Sequence, residues 1–262
     1  MTPEQIELAA AILWKATTST HPLASLPESA IPRTRADGYA VQQALARLSG
    51  QQGYGWKIAS SSSAGQRHLN VDAPLAGRLF INRVLPTTRP ISLNANRMKV
   101  GEAEFAFRMA KDLPPRGEPY GVGDVMASVG ALYPAIELPD SRFIDYTKVG
   151  APSLIADNAC AHEFVLGDEV KIDWRSLDLS KHCVMVTRNG ESNCQGLGSN
   201  VLGDPRIALT WLANELNTYG LMLRASETIT TGTCVVPFAL AAGDRFSTDF
   251  GALGSVTISL TD

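Results

Sequence analysis

From Tyr54 onward the chain is a succession of short apolar runs, each closed off by Gly, Pro, Asn or Asp, and this texture constrains the fold more than any other feature. The runs cover residues 55–59, 78–81, 98–109, 124–138, 163–166, 184–188, 227–238 and 255–260. Short apolar segments bounded by turn residues are strands, so the spacing predicts a sheet-rich body. The runs do not alternate regularly with helical patterns, which disfavours a doubly wound parallel sheet or a TIM barrel.

The first fifty residues read differently. Thr2, Pro3 and Gln5 form a capping-box start, and Ile6, Ala9, Ala10 and Leu13 recur at helical spacing. A polar stretch with prolines, residues 21–32, interrupts the pattern. A second helix is expected over residues 36–48, ended by Gly50. The chain therefore divides into a helical region, residues 1–52, and a sheet-rich body, residues 53–262. One further helix is expected where Asp204 caps and Pro205 takes the first position, with Ile207, Trp211, Leu212 and Leu216 as its apolar face before Gly220. The class is α+β.

Composition limits the partners. With 262 residues, 45% hydrophobic and 19% charged, the chain has an ordinary globular composition and needs neither disulfide nor metal merely to stay folded. Its net charge is -3 and its Lys and Arg residues are scattered, so no nucleic-acid footprint is visible. The apolar stretch 8–14 is too short to span a membrane and follows no basic segment, so the expected location is the cytoplasm. Cys160, Cys183, Cys194 and Cys234 form no CxxC pair and are expected to be reduced, mostly buried thiols. Gly196 and Gly198 are expected in a loop and lack the third glycine of a dinucleotide fingerprint.

The chemistry-bearing residues begin at Glu102 and Glu104. On a strand they point to one face, while Ala103, Phe105 and Phe107 point to the other and belong in a core. Two adjacent carboxylates repel unless something positive lies between them, and an oxygen-only site suits Mg²⁺ or Mn²⁺. On this motif alone a solvated strand face is the commoner explanation. Glu137 shifts the weighing, because it ends the apolar run from Tyr133 and a charge there is costly unless paired or metal-bound. Three carboxylates from two strands would fill half of an octahedral shell. Lys57 lies among Trp56 and Ile58, where a lysine either snorkels or functions. In a desolvated pocket its pKa would fall and make it a proton-transfer group. Residues 60–70 could form a lid over the site, and residues 60–63 are expected to be a flexible loop. Neither His68 nor the serines in it are assigned a role.

These pieces, taken in order, resemble the 2-keto-4-pentenoate hydratase and 4-oxalocrotonate decarboxylase branch of the fumarylacetoacetate hydrolase superfamily. The matching segments are Gly55-Trp56-Lys57-Ile58, Val71-Asp72-Ala73-Pro74 with Gly77-Arg78-Leu79-Phe80, and Glu102-Ala103-Glu104. Ala135-Ile136-Glu137, Asp140-Ser141-Arg142, Ala156-Asp157-Asn158-Ala159, Leu202-Gly203-Asp204-Pro205 and Thr231-Gly232 with Pro237 complete the set. Each is weak alone, but the ordered set is specific and covers nearly the whole chain. The resemblance implies a mixed β-roll or sandwich body with an N-terminal helical part. It implies Glu102, Glu104 and Glu137 as ligands of Mg²⁺ or Mn²⁺, Lys57 and Asp72 as catalytic polar groups, and Gly232 and Thr233 beside the substrate. It also implies a homo-oligomer, pentamer-based, which could associate with a pathway neighbour. The chain departs from the family's pattern at Cys160-Ala161-His162, where small hydroxyl residues are usual.

The implied activity is a hydratase that adds water to 2-hydroxypenta-2,4-dienoate, giving 4-hydroxy-2-oxopentanoate, in aromatic meta-cleavage catabolism. A 4-oxalocrotonate decarboxylase or an acylpyruvate C–C hydrolase would use the same metal site on another 2-oxo acid. A non-catalytic oligomeric partner is the alternative of another class, and the intact Glu102, Glu104, Glu137 and Lys57 argue against it.

Overall fold

The computed structural model describes every residue except Thr20. The N-terminal helices start and stop where their caps dictate. Helix α1 is Pro3–Thr18, with a reciprocal Thr2–Gln5 box, and α2 is Arg35–Ser49, boxed by Thr34 and Asp37 and ended by Gly50 at φ 62°. Their apolar faces (Ala9, Leu13, Val41, Leu45) close over Phe143 and Ala156 in a small core of their own. Gln42, buried, ties α2 to the body by donating to the carbonyls of Ala76 (2.8 Å) and Ile155 (3.0 Å).

The body comprises β1 Gly53–Ala59, α3 Ser63–Leu69, β2 Leu75–Phe80, β3 Val84–Leu85, β4 Ile91–Ser92 and β5 Val100–Met109. Next come α4 Val122–Met126, β6 Val129–Leu138, α5 Gly150–Ala156, β7 Glu163–Leu166, β8 Cys183–Arg188 and β9 Glu191–Leu197. The last elements are α6 Pro205–Thr218, β10 Thr228–Thr233, β11 Phe238–Ala239, β12 Arg245–Asp249 and β13 Ser255–Thr261. One mixed sheet runs β2-β1-β10-β5-β6-β7-β3, with β11 also on β5; the other runs β4-β13-β12-β8-β9.

The two sheets pack face to face. Phe105 of β5 meets Phe250 edge-on at 5.2 Å, and Phe238 stacks on Phe246 at 4.8 Å. Ala103, Phe105 and Phe107 thus fill the shared core. By strand alternation Glu102 and Glu104 occupy the opposite face, turned away from the second sheet.

Several expectations need correction. Residues 124–138 are not one strand, because Asp124 caps the Gly121 amide (3.2 Å) and the chain makes the short α4 before β6 begins at Val129. Residues 227–238 are broken at Gly232, whose φ of 98° takes β10 out of register with β5. The flexible loop expected at residues 60–63 gives way to a helix start: Ser62 caps α3 by accepting the Gly65 amide at 3.0 Å, and Asn70 ends it. Gly196 lies in β9, and its α-carbon faces the Cys234 carbonyl so closely that a Cβ would stand 1.9 Å from that oxygen. On α6, Ile207 is 46% exposed and the buried stripe runs through Ala208, Leu209, Leu212 and Leu216. Only Cys160 and Cys234 are buried, and all four thiols are free. No helix among the described residues is long and apolar enough to cross a membrane.

Candidate metal centre and active site

Pairing between β5 and β6 sets Glu102 directly opposite Glu137 and Glu104 opposite Ala135. Directly paired residues share a face at close range. One oxygen from each of Glu102, Glu104 and Glu137 lies within 4.8 Å of the others. Glu104 and Glu137 are fully buried, and Glu102 is half-buried.

The neighbouring strand β10 holds Glu104 in place. Its Oε2 accepts from the Thr230 hydroxyl and from the Gly232 amide, the latter at 2.6 Å. Oε1 of Glu104 and both carboxylate oxygens of Glu137 have no hydrogen-bond partner although they are buried. An unsatisfied buried acceptor costs about 1–3 kcal/mol, and more when it is charged. Burial therefore favours the protonated form of both carboxyls. Burial, then the neighbouring carboxylates, pushes the Glu104 pKa well above the usual range. Burial, opposed by Lys57, moves Glu137 up to about 7.

Lys57 enters from β1, whose Trp56 and Ile58 point into the core on the other side. Its Nζ is 3.1 Å from Glu137 Oε1, an ion pair whose angle falls outside hydrogen-bond geometry, and it donates to the Ala159 carbonyl at 3.1 Å. Burial works to lower the Lys57 pKa, but Glu137, Glu102 and Glu104 outweigh it and the net shift is upward. The expected fall does not occur in the metal-free cluster, where the neighbouring acidic groups favour the ammonium form.

Of the three carboxylates Glu102 lines a cavity of about 680 Å³, with Lys57, His68, Tyr146, Cys160 and Thr233 also in its wall, while Glu104 and Glu137 lie buried behind it. Much of the remaining wall is apolar, including Leu69, Met98, Val100, Pro139 and Val235. Cys160 is held as a neutral thiol, its pKa raised to about 12 by burial and then by Asp157. Thr233 lines the cavity, with its hydroxyl donated to the Val235 carbonyl at 2.8 Å. Gly232 is not in the lining; its amide serves Glu104, and a Cβ there would stand 2.0 Å from the Ser61 hydroxyl. Asp72 is exposed in the bend after α3 and is not among the residues that line the cavity.

Thr230 and the Ala159 carbonyl were not foreseen. Thr230 could have been found by alternation, since it is the last residue of β10 before Gly232 that shares the face of Glu104. A main-chain carbonyl leaves no such signal.

A hard divalent cation fits this donor set. The oxygens are carboxylate only, three of them are buried without a hydrogen-bond partner, and of these only Glu137 Oε1 has a charged neighbour, Lys57.

No protein-family model matches the chain. It is 34% identical to the 2-hydroxyhexa-2,4-dienoate hydratase of Comamonas testosteroni, over 98% of each chain. It is likewise 34% identical to the 2-keto-4-pentenoate hydratase of Paraburkholderia xenovorans LB400, over 98% of this chain and 95% of that one. The solved structure of 4-oxalocrotonate decarboxylase from Pseudomonas putida G7, complexed with magnesium and adipate, is 28% identical with a TM-score of 0.89, covering 99% of this chain and 98% of that one.

Proposed function

Because the chain belongs to the 2-keto-4-pentenoate hydratase family of the fumarylacetoacetate hydrolase superfamily, we propose that it is a divalent-metal-dependent hydro-lyase acting on 2-hydroxypenta-2,4-dienoate or a short alkyl homologue. The observation that carries this reading is the convergence of Glu102, Glu104 and Glu137, one oxygen of each within 4.8 Å of the others, with Glu104 Oε1 and Glu137 Oε2 buried and without a partner. These three residues would hold Mg²⁺ or Mn²⁺. Such an ion supplies positive charge beside the two oxygens of a 2-oxo acid, where negative charge develops during the reaction.

The chain's own groups do the rest. The overall change is protonation of the dienol at C5, giving the 2-oxo-3-enoate, followed by addition of water with hydroxyl to C4 and hydrogen to C3. Lys57, held by the Ala159 carbonyl at 3.1 Å and beside Glu137, is placed to hold or move a proton at the edge of the metal site. The apolar wall excludes bulk water from the reacting end and accepts an uncharged tail.

Charge in the cavity favours the hydratase over the decarboxylase. Among its lining residues Lys57 is the one permanent cation, and the carboxylate cluster already engages it. The far carboxylate of a dicarboxylate such as 4-oxalocrotonate would meet no guanidinium there. Product analysis tests both readings: the purified protein with Mg²⁺ is given 2-hydroxypenta-2,4-dienoate and, separately, 2-oxohex-3-enedioate. Formation of 4-hydroxy-2-oxopentanoate is expected. Release of carbon dioxide from the dicarboxylate at a faster rate would move the assignment to the decarboxylase, and no turnover of either would overturn both.

A further inference from the structure

Between α5 and β7 the chain passes through three consecutive non-glycine residues in the left-handed region: Asn158 (φ 57°), Ala159 (φ 49°) and Cys160 (φ 60°). L-residues avoid this region, Asn least, and normally enter it singly. Such a conformation persists only where its surroundings over-determine it, and it marks functional sites. The restraint here is visible. The Asn158 side chain, 4% exposed, accepts the Arg78 amide on Oδ1 at 2.6 Å and donates from Nδ2 to the Arg78 carbonyl at 2.8 Å. It thereby pairs with the outer edge of β2 as another strand would. Gly77 leaves room for this approach, since a Cβ there would lie 2.2 Å from the Asn158 carbonyl oxygen.

The turn continues under control. Ala161 donates its amide to the Asn158 carbonyl at 2.9 Å, and the Cys160 carbonyl accepts the Asp140 amide at 2.9 Å. The outcome is that the Ala159 carbonyl faces Lys57 and accepts its Nζ at 3.1 Å, while Ala159 and Cys160 line the cavity.

We propose that Asn158 is a positioning residue for Lys57: its side chain holds the left-handed turn against β2, and the turn aims the carbonyl that fixes the ammonium in the site. The kinetic consequence rests on the hydratase reading; the structural one rests on the geometry alone. A residue that merely sealed the edge of β2 would affect stability and leave turnover per folded molecule unchanged.

The test uses the full chain carrying Asn158→Ala, and the double variant Asn158→Ala/Ala159→Gly. In Asn158→Ala, kcat should fall at least tenfold while KM and the Mg²⁺ affinity measured by calorimetry stay within about threefold. Its crystal structure should show residue 159 out of the left-handed region and its carbonyl turned off Lys57. Glycine adopts positive φ freely, so the double variant should regain most of the lost kcat. If Asn158→Ala does not fold, Asn158→Asp carries the same kinetic test, because it keeps the acceptor for the Arg78 amide but sets a carboxylate against the Arg78 carbonyl. An intact left-handed turn in the single variant, an unchanged kcat, or no recovery in the double variant would overturn the proposal. If the wild type hydrates no 2-hydroxydienoate, the hydratase reading fails, and the crystal structure of the variant still decides the role of Asn158.

Discussion

The Lys57 ammonium stands 3.1 Å from Glu137 Oε1, both side chains sealed from solvent, and the same ammonium donates to the Ala159 carbonyl. The lysine offsets part of the negative charge of the carboxylate cluster, and it also repels a cation entering that cluster. Lys57→Met should therefore separate binding from chemistry. At an effective dielectric of about 20, losing a charge this close strengthens cation binding by roughly tenfold or more. Loss of a positioned proton donor lowers kcat by about 10²–10⁴-fold. Calorimetry with Mg²⁺ at pH 8 and single-substrate kinetics check the two halves; weaker Mg²⁺ binding would show that the lysine supports the site in some other way.

Glu104 tests the metal site itself. Thr230 and Gly232 can still donate to the carbonyl oxygen of a glutamine, so Glu104→Gln keeps the local hydrogen bonds and removes the charge. Charge stabilisation by a metal is worth several kcal/mol, so kcat/KM should drop more than about a hundredfold. The metal-free variant should melt no lower than the metal-free wild type, because one buried, partly unpaired carboxyl is gone. Near-normal turnover would place the metal elsewhere.

Mg²⁺ should stabilise the protein more as pH rises. In the metal-free fold Glu137 titrates near 7, above its unfolded value, and Glu104 is raised further. Across pH 4.5 to 7 the folded state thus binds more protons than the unfolded one, and these two groups lose stability as pH rises through that window. Mg²⁺ binds the deprotonated carboxylates. The gain in Tm on adding Mg²⁺ should accordingly grow from pH 5.5 to 8, reaching about 5 °C or more when Mg²⁺ is about 100 times its Kd. A Tm gain independent of pH would mean that these carboxyls are not the ligands.

The site was more legible than the sheet that carries it. Glu102 and Glu104 share a face because a strand repeats every two residues, and Phe105 and Phe107 announce which face is the core. Glu137 could be recognised as costly inside an apolar run. Strands β9 and β12 were not foreseen, for a physical reason. β9 is an edge strand with mostly exposed side chains, and β12 buries only Phe246 and Thr248, so neither shows the apolar run that the interior strands show. Asn158 stood in a motif but its left-handed turn is fixed by Arg78 and Gly77, some eighty positions away, and no local pattern records that.

Gly232→Ala should damage the metal site through the backbone. The residue sits at φ 98°, which alanine disfavours, and the new methyl would lie 2.0 Å from the Ser61 hydroxyl and 3.0 Å from the Ile58 carbonyl. Loss of about 1–3 kcal/mol is expected from strain of this kind. Because the Gly232 amide holds Glu104, Mg²⁺ affinity should fall together with the Tm. A variant that melts lower with unchanged Mg²⁺ affinity would detach Gly232 from the site.

His162, whose Nδ1 lies 3.9 Å from Glu163 Oε2, gives the fold an acid-sensitive point apart from Glu102, Glu104 and Glu137. It is 8% exposed, its Nδ1 has no hydrogen-bond partner, and its pKa is depressed to about 3, by burial first and then by Arg83, Arg142 and Arg97. An unfolded histidine takes up a proton near pH 6.5. Between about 6.5 and 3 the unfolded state therefore binds one proton that the native ring refuses, and stability falls as pH falls. Two pH units below 6.5, this amounts to about 2–3 kcal/mol. His162→Gln stays neutral throughout and should lack the effect. Urea titrations of wild type and variant, both metal-free in EDTA so that the carboxylate contribution cancels in the difference, should diverge by that amount between pH 7.5 and 4.5. Parallel stability curves would show that the ring gains access to water before the fold is lost.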